Sequence, residues 1–301
     1  MKPFSFNEDV MKKLLLATAM LAASSAANAG VVSAAGGVSW EVDGGLPNFS
    51  ATIDFTQWWT ITNTTEVGDV NTAVSTQTIS PTFSSISSAF QNGDAPELVG
   101  AGKFNLGNGL GEPNCNGCEL TFSFGGLFFD PQNSAAPIDS SEGWLNIYVD
   151  YAQVGGAFDE AQFTNLASAT DHAGRAVDGD LWLSLNLRDF EYYADPAYVN
   201  IGEPLVSGTT LFFGEVIGGI AESNFISDFF VGAYEADAFG LASTFDDNSR
   251  APTTPGGLNV SEYSVRGSGN VEAATVSAPS TIAMFGLALV GLGAMTRRRK
   301  S

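Results

Sequence analysis

The stretch GDLWLSLNLRDF (residues 179–190) alternates with a period of two. Leu181, Leu183, Leu185 and Leu187 share one face, and Trp182, Ser184, Asn186 and Arg188 take the other. Successive side chains of a strand point to opposite sides, so this alternation marks a β-strand with one buried face. Working outward, the same pattern recurs in SATIDFTQWWTIT (50–62), ELTFSFGGLFFD (119–130) and GWLNIYVDYA (143–152). It weakens but persists over 209–217 and 259–266. Gly125-Gly126, in the middle of one such run, reads as a bulge or turn.

Gly, Asn, Asp, Ser and Pro fill the intervals, as turn geometry requires. Helical periodicity is scarce. AFDEAQFTNLASA (157–169) reads as one short helix, with Phe158, Phe163 and Leu166 along a stripe. The Ser- and Thr-rich stretch 63–90 reads as an edge strand or long loop, and 246–257 as a surface connection. Antiparallel sheets that cover each other follow from this pattern. The expected fold is an all-β antiparallel sandwich of jelly-roll type over residues 30–266, with a flexible spacer at 267–276.

The two ends carry a different grammar. Lys12 and Lys13 precede a short apolar run, Leu14–Ala23, and the small-residue site Ala27-Asn28-Ala29 predicts cleavage before Gly30. That is the layout of a secretory signal peptide over residues 1–29. Glu8 and Asp9 fit a basic leader poorly, so Met11 competes with Met1 as the start. At the other end Ser280–Thr296 is uncharged and, as a helix, would measure about 25 Å. Arg297, Arg298, Arg299 and Lys300 follow at once. Residues 280–296 therefore read as a single transmembrane helix, its basic end held on the cytoplasmic side of the inner membrane.

The formal net charge is −21. Lys2, Lys12 and Lys13 precede Gly30 and four more cations close the chain, so the region between is more acidic still. Such a surface repels nucleic acid and favours solubility. Clustered carboxylates at Asp159-Glu160, Asp178-Gly179-Asp180 and Asp246-Asp247 raise calcium as a ligand, although none matches an EF-hand spacing. Solvated turn carboxylates are the favoured reading, so no cofactor is expected.

Cys115 and Cys118 flank Asn-Gly, a dipeptide that favours a tight turn. In an exported chain this pair reads as a disulfide that pins a turn, worth about 2 kcal/mol. His172 is the sole histidine, and no G-x-S-x-G elbow accompanies it, so a Ser-His-Asp site is not expected. Trp58, Trp144 and Trp182 stand opposite aliphatic faces and are candidates for stacking on sugar rings. A secreted hydrolase with two carboxylates converging in space is the third reading.

Taken in order, a proline-containing motif, a glycine-bearing apolar segment and a terminal basic cluster resemble the PEP-CTERM sorting domain. The matching positions here are Ser277-Ala278-Pro279 with Ser280-Thr281, followed by the apolar segment and Arg297–Lys300. The first proline and the glutamate of the Pro-Glu-Pro motif are replaced. The resemblance covers residues 277–301 and implies an exosortase-type processing enzyme as partner. It further implies transfer to the cell surface or an exopolysaccharide matrix. It implies no activity for the body, which is expected to be non-enzymatic.

Overall fold

The computed structural model describes residues 30–42, 49–62, 78–80, 83–131, 137–151, 169–195, 207–226, 228–231, 234–237, 239–247 and 265–276. In chain order these form β1 (Gly30–Ser33), β2 (Val38–Val42), β3 (Phe49–Thr62), β4 (Thr78–Ser80), α1 (Phe83–Gln91), β5 (Ala95–Asn105) and β6 (Asn114–Cys115). Then come β7 (Cys118–Phe129), β8 (Ile138–Asp139), β9 (Trp144–Tyr151), α2 (Ala169–Ala176), β10 (Asp180–Ala194) and β11 (Gly208–Gly218). The remaining strands are β12 (Asp228–Val231), β13 (Tyr234–Asp237), β14 (Phe239–Asp247) and β15 (Val265–Ala273).

The architecture is a closed barrel and not a sandwich. Strands β3, β5, β7, β9, β10, β11, β14 and β15 follow one another as antiparallel neighbours, and β15 then pairs with β3. Val271 lies opposite both Leu241 of β14 and Ala51 of β3, so eight strands close on themselves without a free edge. Period-two alternation is common to barrels and sandwiches; only the pairing of the last strand with the first distinguishes them. That last strand reads as a spacer in the sequence because it is VRGSGNVEA, short of large side chains.

Its glycines have a packing reason. Gly267 faces inward opposite Phe55, and a Cβ there would collide with the Phe55 ring. Phe124 covers Gly100 and Phe122 covers Gly102 in the same way. Large rings lying across cross-strand glycines fill most of the narrow lumen of an eight-stranded barrel. Leu183, Leu185, Leu187, Phe190 and Phe212 complete an almost wholly apolar interior.

Bulges refine the alternation. Val99 opposes both Gly125 and Gly126 at a register shift between β5 and β7, and Gly126 takes φ +71°, as the sequence expectation of a bulge requires. In β10 the register shifts between Leu181 and Leu183. As a result Trp182 turns inward and Leu181 outward, the reverse of simple alternation.

The two barrel ends are closed differently. At one end the small sheet β1–β2–β6 forms a cap, where Trp40, Phe49, Trp182 and Phe225 pack with ring centroids 5.1–6.5 Å apart. The Trp182 indole donates to the Ala35 carbonyl at 2.9 Å. At the other end α1 sets Ile86 and Phe90 against the core, with Phe90 edge-on to Phe129 and Phe129 edge-on to Trp59. Residues 83–90 are thus helix and not edge strand or loop. The apolar spacing Phe83, Ile86, Ala89, Phe90 carries that signal beneath a serine-rich composition.

The helix expected at 157–169 lies outside the described residues except at its last position, where α2 begins. The signal segment 1–29, the tail 277–301 and its apolar run 280–296 also lie outside them. Among the described residues no helix is long and apolar enough to cross a membrane.

Candidate functional sites on the barrel

The three tryptophans singled out for sugar stacking are all buried: Trp58 is 1%, Trp144 9% and Trp182 0% exposed. None offers a ring face to solvent, which corrects that expectation. Trp182 was diverted inward by the bulge in β10. Trp58 and Trp144 do lie on the outer wall, but that wall is covered. Trp144 lies over Gly125, and the neighbouring outer positions Val99, Ala101, Thr121 and Ser123 are buried. Helix α2 accounts for part of this cover, since Ala173 and Ala176 are fully buried and Thr121 Oγ1 donates to the Ala176 carbonyl at 2.8 Å.

Beneath this cover sits Glu97, a carboxyl side chain with no exposed surface. The Gly126 amide donates to its Oε1 at 2.8 Å, and Thr60 Oγ1 donates to its carbonyl at 3.3 Å. Glu97 thereby holds the Gly126 bulge, a structural task for a buried polar side chain. The sequence contains a hint, because Glu97 stands within the otherwise uncharged run APELVGAG. Nothing in the pattern alone separates it from a solvent-facing strand glutamate.

The lumen holds a cavity of about 20 Å³, room for about one water. Phe55, Phe122, Phe190 and Phe212 line it together with the polar residues Gln57, Thr210 and Ser243. Thr210 Oγ1 and Ser243 Oγ are 2.6 Å apart, one hydroxyl donating to the other, while Gln57 Nε2 is buried without a hydrogen-bond partner. Alternation places these polar groups inward, but sequence gives no sign that they meet.

A larger concavity, of about 380 Å³, opens on the outside of the barrel across its closing seam. Register builds it: Asp54, Ser268, Thr244 and Thr209 stand in one row across β3, β15, β14 and β11. Thr52, Asn270 and Ala242 form the next row. Asn105 Nδ2 donates to Asp54 Oδ2 at 3.0 Å at the edge of the trough. Neighbouring groups in a row repeat at the strand spacing of about 4.8 Å. The trough presents hydroxyl, amide and carboxylate groups and no aromatic ring, a surface suited to hydrogen bonding with a polyhydroxylated ligand.

Cys115 and Cys118 are joined across the β6–β7 turn with Cα atoms 5.6 Å apart, and Gly117 takes φ +81°. His172 falls in α2 with its side chain outside the described residues, as do the side chains of Asp246 and Asp247 and all of Asp159-Glu160. Asp178 and Asp180 are exposed at the start of β10. Among the described residues no three His, Cys, Asp or Glu side chains come together as a metal site. The sorting-motif residues Ser277–Thr281, the basic cluster Arg297–Lys300 and the cleavage-site residues Ala27 and Ala29 lie outside the described residues. Comparison of the chain with protein-family models, with curated proteins and with solved structures finds no match.

Proposed function

We propose that this chain is an exported cell-surface or extracellular-matrix protein, sorted by its C-terminal tail, whose barrel is a non-enzymatic module. One observation carries most weight in support. The barrel strands run from Phe49 to Ala273 and close on themselves through the β15–β3 pairing, so the barrel is complete before the expected motif at Ser277. The leader and tail read from the sequence thus lie on either side of the barrel strands. Mass spectrometry of the protein recovered from the cell surface tests the reading. Expected is an N-terminus at Gly30 and loss of the tail after Val276; a C-terminus ending in Ser301 would sink sorting by cleavage.

A second reading concerns the body, and the trough across the seam favours it: the barrel contacts exopolysaccharide through hydrogen bonds and not through stacked tryptophans. Calorimetric titration with matrix polysaccharide, with and without calcium, tests this reading. Heat that is lost in Thr52→Val and Asn270→Leu is expected. No heat in either condition counts against it.

A further inference from the structure

The exposed apolar side chains are not scattered. Apart from Tyr193, every large hydrophobic side chain exposed among the described residues lies at the capped end of the barrel. Leu110 and Val31 belong to the cap, through pairings of both with Glu41. Leu181 and Ile220 adjoin, since the Ile220 amide donates to the Leu181 carbonyl at 3.3 Å, and Ile217 opens the same turn. Val276 stands beside them, its amide donating to the Asn224 carbonyl at 2.8 Å, just after the 3-10 turn Glu222–Asn224. Leu181, Ile217, Ile220 and Val276 are between 41% and 50% exposed.

The chain leaves the barrel at this rim. Ser277-Ala278-Pro279 is all that separates Val276 from the uncharged run Ser280–Thr296, and fully extended it spans at most about 11 Å. An apolar segment that enters a bilayer so close to the rim brings the rim to the lipid surface. The rim also carries the exposed carboxylates Glu41, Asp180, Glu222 and Glu272, which oppose anionic headgroups.

We propose that this rim seats on an electrically neutral, zwitterionic lipid surface while the tail is inserted, holding the barrel upright with its capped end down. This deepens the reading of the tail as a membrane-held sorting signal and rests on it. Upright seating leaves the opposite end and the side-wall trough facing outward. It also fixes the distance between bilayer and the Ser277–Pro279 motif.

The full chain reconstituted in phosphatidylcholine vesicles provides the test, with an environment-sensitive fluorophore on a cysteine introduced at Ile220 or, as control, at Ser268. Cys115 and Cys118 are bonded to each other and do not compete for label. Expected is co-flotation, with lipid-borne quenchers acting several-fold more strongly at position 220 than at 268, and a smaller contrast on anionic vesicles. Co-flotation with equal quenching at both positions overturns the rim proposal and leaves the tail anchor standing. Absence of flotation overturns both. A label at 220 shielded from aqueous iodide but untouched by lipid quenchers, with a doubled mass in detergent, overturns lipid seating in favour of a second copy.

Discussion

The Trp40 indole donates from Nε1 to Thr275 Oγ1 at 3.3 Å, joining residues 235 positions apart in the sequence. Both residues are 2% exposed. The bond ties the cap strand β2 to the chain just beyond the closing strand β15. It therefore locks the capped end of the barrel.

Replacing Thr275 by Val keeps the volume and leaves the indole N–H buried without a partner. An orphaned buried donor costs about 1–3 kcal/mol. Trp40→Ala removes a large buried ring from the four-ring cluster and costs about 3–5 kcal/mol. Denaturant unfolding of both variants checks the order. A Thr275→Val variant as stable as the parent would show that the cap is held by ring packing alone.

The glycine–phenylalanine pairs make a sharper case. Gly267→Ala puts a methyl group into the Phe55 ring, and overpacking of this kind costs about 1–3 kcal/mol. Phe55→Leu alone loses buried area and leaves a gap. Combined, the two changes compensate, so the double variant is more stable than the sum of the single losses predicts. A double-mutant cycle with no coupling would refute the cross-strand contact.

Gln57 leads to the opposite sign. Its Nε2 is buried without a partner among phenylalanines and leucines, so the amide is a cost to the fold. Gln57→Leu removes that cost at similar size and raises stability by about 1 kcal/mol. Thermal unfolding reads the shift. A loss of stability would mean that a water in the lumen satisfies the amide.

These residues also show what the sequence made legible. Strands β3, β7, β9, β10 and β11 follow from alternation because each carries large apolar residues on one face. The Asn-Gly turn between the cysteines follows from turn chemistry. Closure does not, because β15 contributes glycines whose partners, Phe55 above all, sit two hundred residues away. The inward turn of Trp182 depends on a register shift, which is a property of two paired strands and not of one. The trough is likewise built from rows across four strands, so no local pattern announces it.

Alkaline pH provides the last prediction. Burial against the core raises the Tyr192 phenol above its ordinary value, because the phenolate would lose its hydration. Tyr151 is raised as well, by burial first and by the charge of Asp180 second. The unfolded chain releases these protons near pH ~10. Above that pH the folded state holds more protons than the unfolded one, so stability falls as pH rises; below it, this contribution is fully present. Denaturant midpoints should be level between pH 8 and about 9.5 and decline above ~10. Tyr192→Phe should flatten the decline in part, with Tyr151 supplying the remainder. Absorbance titration of the phenolates provides an independent reading, in which Tyr192 ionises only as the barrel unfolds. Ionisation of all seven tyrosines in one step before unfolding would overturn the assignment.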